Sequence, residues 1–320
     1  MAGNIIGGDK CSNAFVAQWI DSSDYIDAHT SGSTGTPKPI RLLKSDMRIS
    51  ARNTCEFFRL DSQSTLVLPL SSDYIAGKMM IVRALECGGT LIIEQPSNNP
   101  LPTCRMATID LIAIVPSQID GLLKSTQFHK IKNIIIGGGR IPESMEHKLE
   151  NVRSANIYAT YGMTETCSHV ALRRIGDKYY HALPGFTFDI DERGCLIIMS
   201  EEMSFGQLTT NDLVELENNH SFRWLGRYDN IINSGGIKLV PEQLETKIAP
   251  LVHGHNFYVT SRKSDKWGDE LGLIIECDTE IPHLNSRLSD ILTSVERPKF
   301  IVYEPNFQRT SSGKIIRKKW

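Results

Sequence analysis

Between residues 111 and 166 the chain reads LIAIV (Leu111–Val115), then NIIIGGG (Asn133–Gly139), then NIYATYGMTET (Asn156–Thr166). Each run is short, apolar and closed by Pro, Gly or Ser, and helix-length segments separate them. Apolar runs without polar alternation read as strands buried on both faces, the pattern of a sheet with helices on either side. Working outward, Leu66–Leu70 and Thr90–Ile93 repeat the pattern. The expectation is an α/β fold: a large N-terminal domain of mixed sheets covered by helices. At Phe186–Met199 the period changes. Phe186, Phe188 and Ile190 alternate, Asp191–Gly194 reads as a turn and Cys195–Met199 follows, a hairpin that fits a small β subdomain.

A second unit begins near Gly226, which divides the chain into 1–226 and 227–320. Pro241 before Glu242, Leu244, Glu245 and Ile248 suits a helix with Pro in its first turn. Leu271–Cys277 and Phe300–Tyr303 are strand candidates. Leu284, Leu288, Ile291, Leu292 and Val295 recur at helical spacing and predict one buried helix face. The expected result is a small C-terminal α+β domain.

With 320 residues the chain exceeds what one core needs. Apolar residues at 40% and charged residues at 22% are ordinary for a globular protein. The net charge of −2 gives no reason to expect nucleic acid or an anionic membrane as partner. Seven dispersed cysteines without a CxxC pair read as reduced thiols. The first residues lack a signal-peptide pattern and no apolar run reaches membrane-spanning length, so the expected setting is cytoplasmic, with no membrane insertion.

The chemistry is concentrated in a few stretches. Thr30-Ser31-Gly32-Ser33-Thr34-Gly35-Thr36-Pro37-Lys38 combines permissive glycines, hydroxyls and a terminal cation, a composition able to wrap phosphate. It lacks the GxxxxGK[ST] spacing of a P-loop. Tyr161-Gly162-Met163-Thr164-Glu165 follows a predicted strand. Glu165 there is placed to hold Mg²⁺ against phosphates, with Thr164 beside it; alone it reads as an acid opening a helix. Gly137, Gly138 and Gly139 leave room for a flat ring. Asp212, in Thr210-Asn-Asp212, offers a carboxylate for ribose hydroxyls. Arg309-Thr-Ser-Ser-Gly-Lys314 puts a lysine on a turn near the end of the chain. His253-Gly-His255, without further ligands at suitable spacing, reads as a loop.

In order, TSGSTGTPK, YGMTET, TTND, GRYDNIINSGGIKLVPEQLE and RTSSGK resemble the motifs of the adenylate-forming superfamily of acyl-CoA ligases, adenylation domains and luciferases. The resemblance covers residues 30–314 and supplies the reaction. ATP and a carboxylic acid give acyl-AMP and pyrophosphate, and the thiol of CoA then takes the acyl group. It implies that Thr30–Lys38 hold the β- and γ-phosphates, Glu165 holds Mg²⁺ and Thr164 meets the α-phosphate. Gly137–Gly139 with Tyr161 and Gly162 would flank adenine, and Asp212 and Arg227 would hold ribose. Lys314 would bridge the carboxylate and the α-phosphate. Asp229 matches the hinge of the mobile small domain, and Ser234-Gly235-Gly236 the loop that faces the active site during thioester formation.

Within the superfamily, YGMTETCS, Val115-Pro-Ser-Gln118 and Leu68-Pro-Leu70 leading to Tyr74-Ile-Ala-Gly77 resemble the o-succinylbenzoate–CoA ligase branch of menaquinone biosynthesis. That likeness implies an aryl diacid as substrate, met by Tyr74, Lys78, Ser117 and Ser168, with Lys78 or Arg83 pairing the carboxylate that does not react. Tyr74 stands where the branch usually has His. Only 29 residues precede the phosphate loop, so the N-terminal portion reads as shortened. The expected partners are the acid, ATP and CoA, and the reading allows a homodimer. Rival readings are another aryl- or acyl-CoA ligase, an adenylation enzyme that loads a carrier protein, and a non-catalytic binding protein of the same fold. Lys38, Glu165, Asp212, Arg227 and Lys314 all being present favours a working enzyme.

Overall fold

The structure, a computed structural model of the chain, describes residues 4–29, 38–101, 103, 105–252, 254–265, 268–309, 315–318 and 320. Two compact units emerge. One takes in Met1–Phe188, Ile198–Leu208 and Asn218–Ser221; the other takes in Asp189–Ile197, Thr209–Glu217 and Phe222–Trp320. The chain thus passes between the units several times before Phe222, where a single cut was expected at 226/227.

Along the chain the first unit carries β1 (Asn4–Gly7), α1 (Lys10–Ile20), β2 (Tyr25–His29), β3 (Pro39–Leu43), α2 (Lys44–Phe58), β4 (Thr65–Leu68), α3 (Ile75–Cys87), β5 (Thr90–Ile93), β6 (Leu111–Ile114), α4 (Ile119–Leu123), β7 (Asn133–Ile136), α5 (Glu143–Glu150), β8 (Asn156–Gly162), β9 (His169–Arg174) and β10 (Tyr180–Ala182). Its sheet runs β1-β5-β4-β6-β7-β8-β9-β10. Pairing is parallel from β1 to β8 and antiparallel from β8 to β10.

The apolar runs that predicted this sheet are its central strands, and alternation assigns their faces. Val67, Ile92, Ile112, Ile114, Ile134 and Ile136 form one core with Ile119 and Leu122 of α4 and Leu149 of α5. Their neighbours Leu66, Leu68, Leu91 and Leu111 point to the opposite face and are fully buried, where α3 packs on β4 and β5. The mixed, doubly covered α/β sheet expected from the sequence is therefore what forms. Separately, β2 and β3 pair antiparallel, with His29 opposite Pro39.

The strands β11 (Thr187–Ile190), β12 (Cys195–Met199), β13 (Gln207–Asn218) and β14 (Ser221–Arg227), each with residues assigned to both units, lie in the order β14-β13-β12-β11. The expected hairpin is present: Asp191 N–H donates to the Cys195 carbonyl and Gly194 N–H to that of Asp191. Then come β15 (Ile232–Ser234), β16 (Ile237–Leu239), α6 (Pro241–Ile248), β17 (Phe257–Ser264), β18 (Gly268–Glu276), α7 (Leu284–Ile291) and β19 (Phe300–Glu304). The sheet order is β16-β15-β18-β17, with β19 parallel to β18. Leu244 and Ile248 of α6 and Leu284 and Leu288 of α7 close one core over Val259, Leu271, Leu273 and Ile275.

The helix expected through Val295 is shorter. It ends at Ile291, and Ile291 and Val295 are exposed. Glu296 accepts from both the N–H and the hydroxyl of Thr293, a local turn that competes with helix. Arg297 meanwhile donates to the carbonyls of Leu292 and Ser289 and satisfies the helix end. No described helix is long and apolar enough to cross a membrane.

Candidate active site

Two of the sequence-predicted elements, Thr30–Pro37 and Thr310–Lys314, lie outside the described residues, as does His253. Lys38 is exposed. The β2–β3 pairing sets His29 opposite Pro39, on either side of the candidate phosphate-binding sequence.

The adenine candidates Gly137–Gly139, Tyr161 and Gly162 sit at the C-terminal ends of β7 and β8, the edge where open α/β sheets hold ligands. Gly137 N–H continues the ladder to the Ile114 carbonyl at 3.1 Å. Thr160 Oγ1 donates to the Ile136 carbonyl at 3.3 Å. A Cβ at Gly139 would meet nothing within 4 Å, so this backbone leaves the space a flat ring needs. Tyr161 packs edge-on against Tyr180, with centroids 5.9 Å apart. Arg173 lies over the Tyr180 ring at 5.4 Å and grips Glu146 through two hydrogen bonds of 2.5 and 3.2 Å. Burial, the largest influence, pushes the Tyr180 hydroxyl above its ordinary pKa.

At the end of β8 the register shifts between Tyr161 and Gly162. A Cβ on Gly162 would lie 2.2 Å from the Ser168 carbonyl oxygen, so only glycine allows this return. Thr164–Thr166 then form one 3-10 turn, held by Met163 N–H donating to Thr166 Oγ1 at 3.1 Å. Thr166 in turn donates to the Ser168 carbonyl at 2.7 Å. Thr164 is buried and Glu165 exposed. Among the described residues no group of three or more His, Cys, Asp or Glu side chains could hold a metal. One exposed carboxylate fits Mg²⁺ that keeps its waters and phosphate oxygens, and does not fit an all-protein metal cage.

The second unit has its own cluster. Asp212 is buried; it accepts from Trp224 Nε1 at 3.0 Å and lies 3.6 Å from Arg227 Nη1. Arg227 Nη2 also pairs with Asp229 at 2.9 Å, and Asn211 donates to both Asp229 oxygens at 3.3 Å. Ribose and hinge candidates thus share one ion-pair network. Ser234 and Ile237 face each other across a two-residue hairpin whose Gly235 and Gly236 have φ of +60° and +84°, which a side chain would resist.

The acid-side candidates separate on inspection. Lys78 is half-buried over the Phe15 ring at 4.8 Å, with Asp73 and Cys11 nearby. Tyr74 and Ser117 are exposed. Arg83, by contrast, is 2% exposed and has no carboxylate partner among the described residues. Its Nε is buried without a hydrogen bond, Nη1 meets only the Met80 sulfur at 3.5 Å, and Nη2 donates to Ser168 Oγ. Burial lowers its pKa to about 10, leaving it charged at neutral pH. Behind it, His169 is buried and held well below the usual histidine range, first by burial and then by Arg83. Its Nε2 lies 3.1 Å from Thr54 Oγ1. Neither Thr54 nor His169 stands out in the sequence: 115 positions separate them, and each looks like an ordinary member of its helix or strand.

Comparison with known proteins accords with this geometry. The family model for AMP-binding enzyme matches residues 16–190, more than half of the chain. The 2-succinylbenzoate–CoA ligase of Lactococcus lactis subsp. lactis (strain IL1403) is 22% identical over 332 residues, covering 97% of this chain and 73% of that protein. A solved structure of an acyl-CoA synthetase (AMP-forming)/AMP-acid ligase II-like protein from Dyadobacter fermentans is 33% identical with a TM-score of 0.64, covering 95% of this chain and 91% of that one. The Bacillus subtilis o-succinylbenzoate coenzyme A synthetase, solved with ATP and magnesium, superposes with a TM-score of 0.79 at 19% identity, covering 91% of this chain and 68% of that one. The chain spans 64 to 73% of the length of curated relatives it matches. The doubly covered sheet, the Tyr161–Thr166 return at its ligand edge and the family match together place this chain in the AMP-binding enzyme family, the adenylate-forming acid–thiol ligases.

Proposed function

We propose that the chain activates an aryl dicarboxylic acid, o-succinylbenzoate, as its acyl-AMP with ATP and Mg²⁺, and passes the acyl group to CoA. The observation that carries the substrate is Arg83. A guanidinium taken out of water without a counter-ion is costly, and an orphaned buried N–H adds to that cost. Both are relieved by a ligand carboxylate, which the guanidinium fork accepts in bidentate geometry. The acid keeps this second carboxylate while the first one reacts. Lys78 is less suited, being already engaged with Phe15.

In this reading Thr30–Lys38 cradle the β- and γ-phosphates and Gly137–Gly139 with Tyr161 and Gly162 bracket adenine. Asp212 and Arg227 hold ribose. Thr164 meets the α-phosphate and Glu165 holds Mg²⁺, whose charge offsets that of the phosphates. Lys314 bridges the reacting carboxylate and the α-phosphate, where positioned cations meet the charge that spreads over oxygen in the transition state. Residues 227–320 act as the mobile domain about Asp229, bringing Ser234–Gly236 to the thioester step. The relatives named as 2-succinylbenzoate–CoA ligases support the choice of acid.

The test is Arg83→Met, which keeps the bulk and removes the fork. The KM for o-succinylbenzoate should rise at least about tenfold, roughly 1.4 kcal/mol, with the KM for ATP unchanged. An unaltered KM for the acid would remove Arg83 from this role.

A further inference from the structure

The polar side chains behind Arg83 form a relay whose proton directions follow from one end. Thr54, inside α2, donates its hydroxyl to the Ser50 carbonyl at 3.0 Å, which uses its one proton. Toward His169 Nε2 at 3.1 Å the same oxygen is therefore an acceptor, and Nε2 carries the ring hydrogen. A neutral imidazole with its hydrogen on Nε2 has a bare Nδ1. Ser168 Oγ lies 3.4 Å from that Nδ1 and can only donate to it. With its proton turned to His169, Ser168 presents lone pairs to Arg83 Nη2, which donates to it. The directions agree at every link, as a satisfied buried network requires.

With these directions Ser168, a sequence candidate for contact to the acid, serves as an acceptor for Arg83. We propose that His169, anchored by Thr54 and acting through Ser168, is a positioning residue that fixes the plane of the Arg83 guanidinium so that its open Nε–H faces the second carboxylate of the substrate. The proposal rests on the diacid reading above. Bidentate recognition depends on the fork being held in one orientation. Met80 sulfur is a weak acceptor, which leaves Ser168 as the main restraint on Arg83.

The test compares o-succinylbenzoate with 3-benzoylpropionate, the same acid without its ring carboxylate. His169→Leu removes both nitrogens, Thr54→Val removes the anchor at constant shape, and Thr54→Ser keeps the hydroxyl. For His169→Leu and Thr54→Val we expect the diacid KM to rise about tenfold. Their kcat and their monoacid KM should stay within about twofold of wild type, and Thr54→Ser should behave as wild type. Equal losses on both acids, a loss confined to kcat, or an unchanged diacid KM in both variants overturns the proposal. Should His169→Leu not fold, the Thr54 pair decides. A wild type that does not prefer the diacid sinks the Arg83 reading and this proposal with it. Nitrogen-15 imidazole spectra decide the relay with no acid present: a neutral ring protonated at Nε2 supports it, and a charged or Nδ1-protonated ring overturns it.

Discussion

At the scale of single residues, the decisive contrast is between Arg83 and Asp212. Arg83 is a buried cation with no anion among the described residues. Asp212 is a buried anion already met by Trp224 and Arg227. In the proposed function the first awaits the second carboxylate of the acid and the second meets ribose. Asp212→Ala should therefore raise the KM for ATP about tenfold or more while leaving the KM for the acid unchanged, measured by initial rates. His169 adds a pH signature. Its folded pKa is depressed by burial and by Arg83, whereas the unfolded side chain takes a proton near pH 6.5. Below that pH the unfolded state binds the extra proton, so stability is complete above pH 6.5 and falls as pH falls. The slope is up to about 1.4 kcal/mol per pH unit. Urea unfolding at pH 7.5 and pH 5.5 should show this loss in wild type and not in His169→Leu.

Single elements show which features the sequence discloses. The parallel strands were legible because burial on both faces leaves unbroken apolar runs such as Asn133–Ile136. The Pro241 helix was legible because Pro at its first turn has a local meaning. α7 was read too long because Ile291 and Val295 keep the helical period although Glu296 and Arg297 end the helix through side-chain hydrogen bonds. The YGMTET return was recognised as a motif, but its cause, the 2.2 Å approach of the Ser168 carbonyl to a Gly162 Cβ, depends on the folded backbone. Gly162→Ala should cost about 2 kcal/mol or more and displace Thr164 and Glu165. That appears as a lowered denaturation midpoint together with lost adenylation. Arg83 and Ser168 are legible as acid-side candidates, but their connection back to His169 and Thr54 is not, because α2, α3 and β9 are separate in sequence and neither His169 nor Thr54 stands out. Glu245 behaves likewise. It accepts from Val259 N–H at 2.9 Å and from Arg317 at 2.7 and 2.9 Å. Glu245→Ala should destabilise by about 2 kcal/mol, discounted because the Arg317 side chain is 36% exposed.

For the whole molecule, two units with separate hydrophobic cores imply two cooperative blocks. Scanning calorimetry should resolve more than one transition, and Glu245→Ala should lower only that of the second unit. ATP at one hundred times its Kd should stabilise the folded protein by about 2.7 kcal/mol. The most direct measurement of the proposed chemistry is pyrophosphate release from ATP and Mg²⁺ with o-succinylbenzoate, run with and without CoA and followed by mass spectrometry. The account predicts release that turns over only when CoA is present, with o-succinylbenzoyl-CoA as the product. Folded protein that releases no pyrophosphate with this acid, yet does so with monocarboxylic acids, would contradict it.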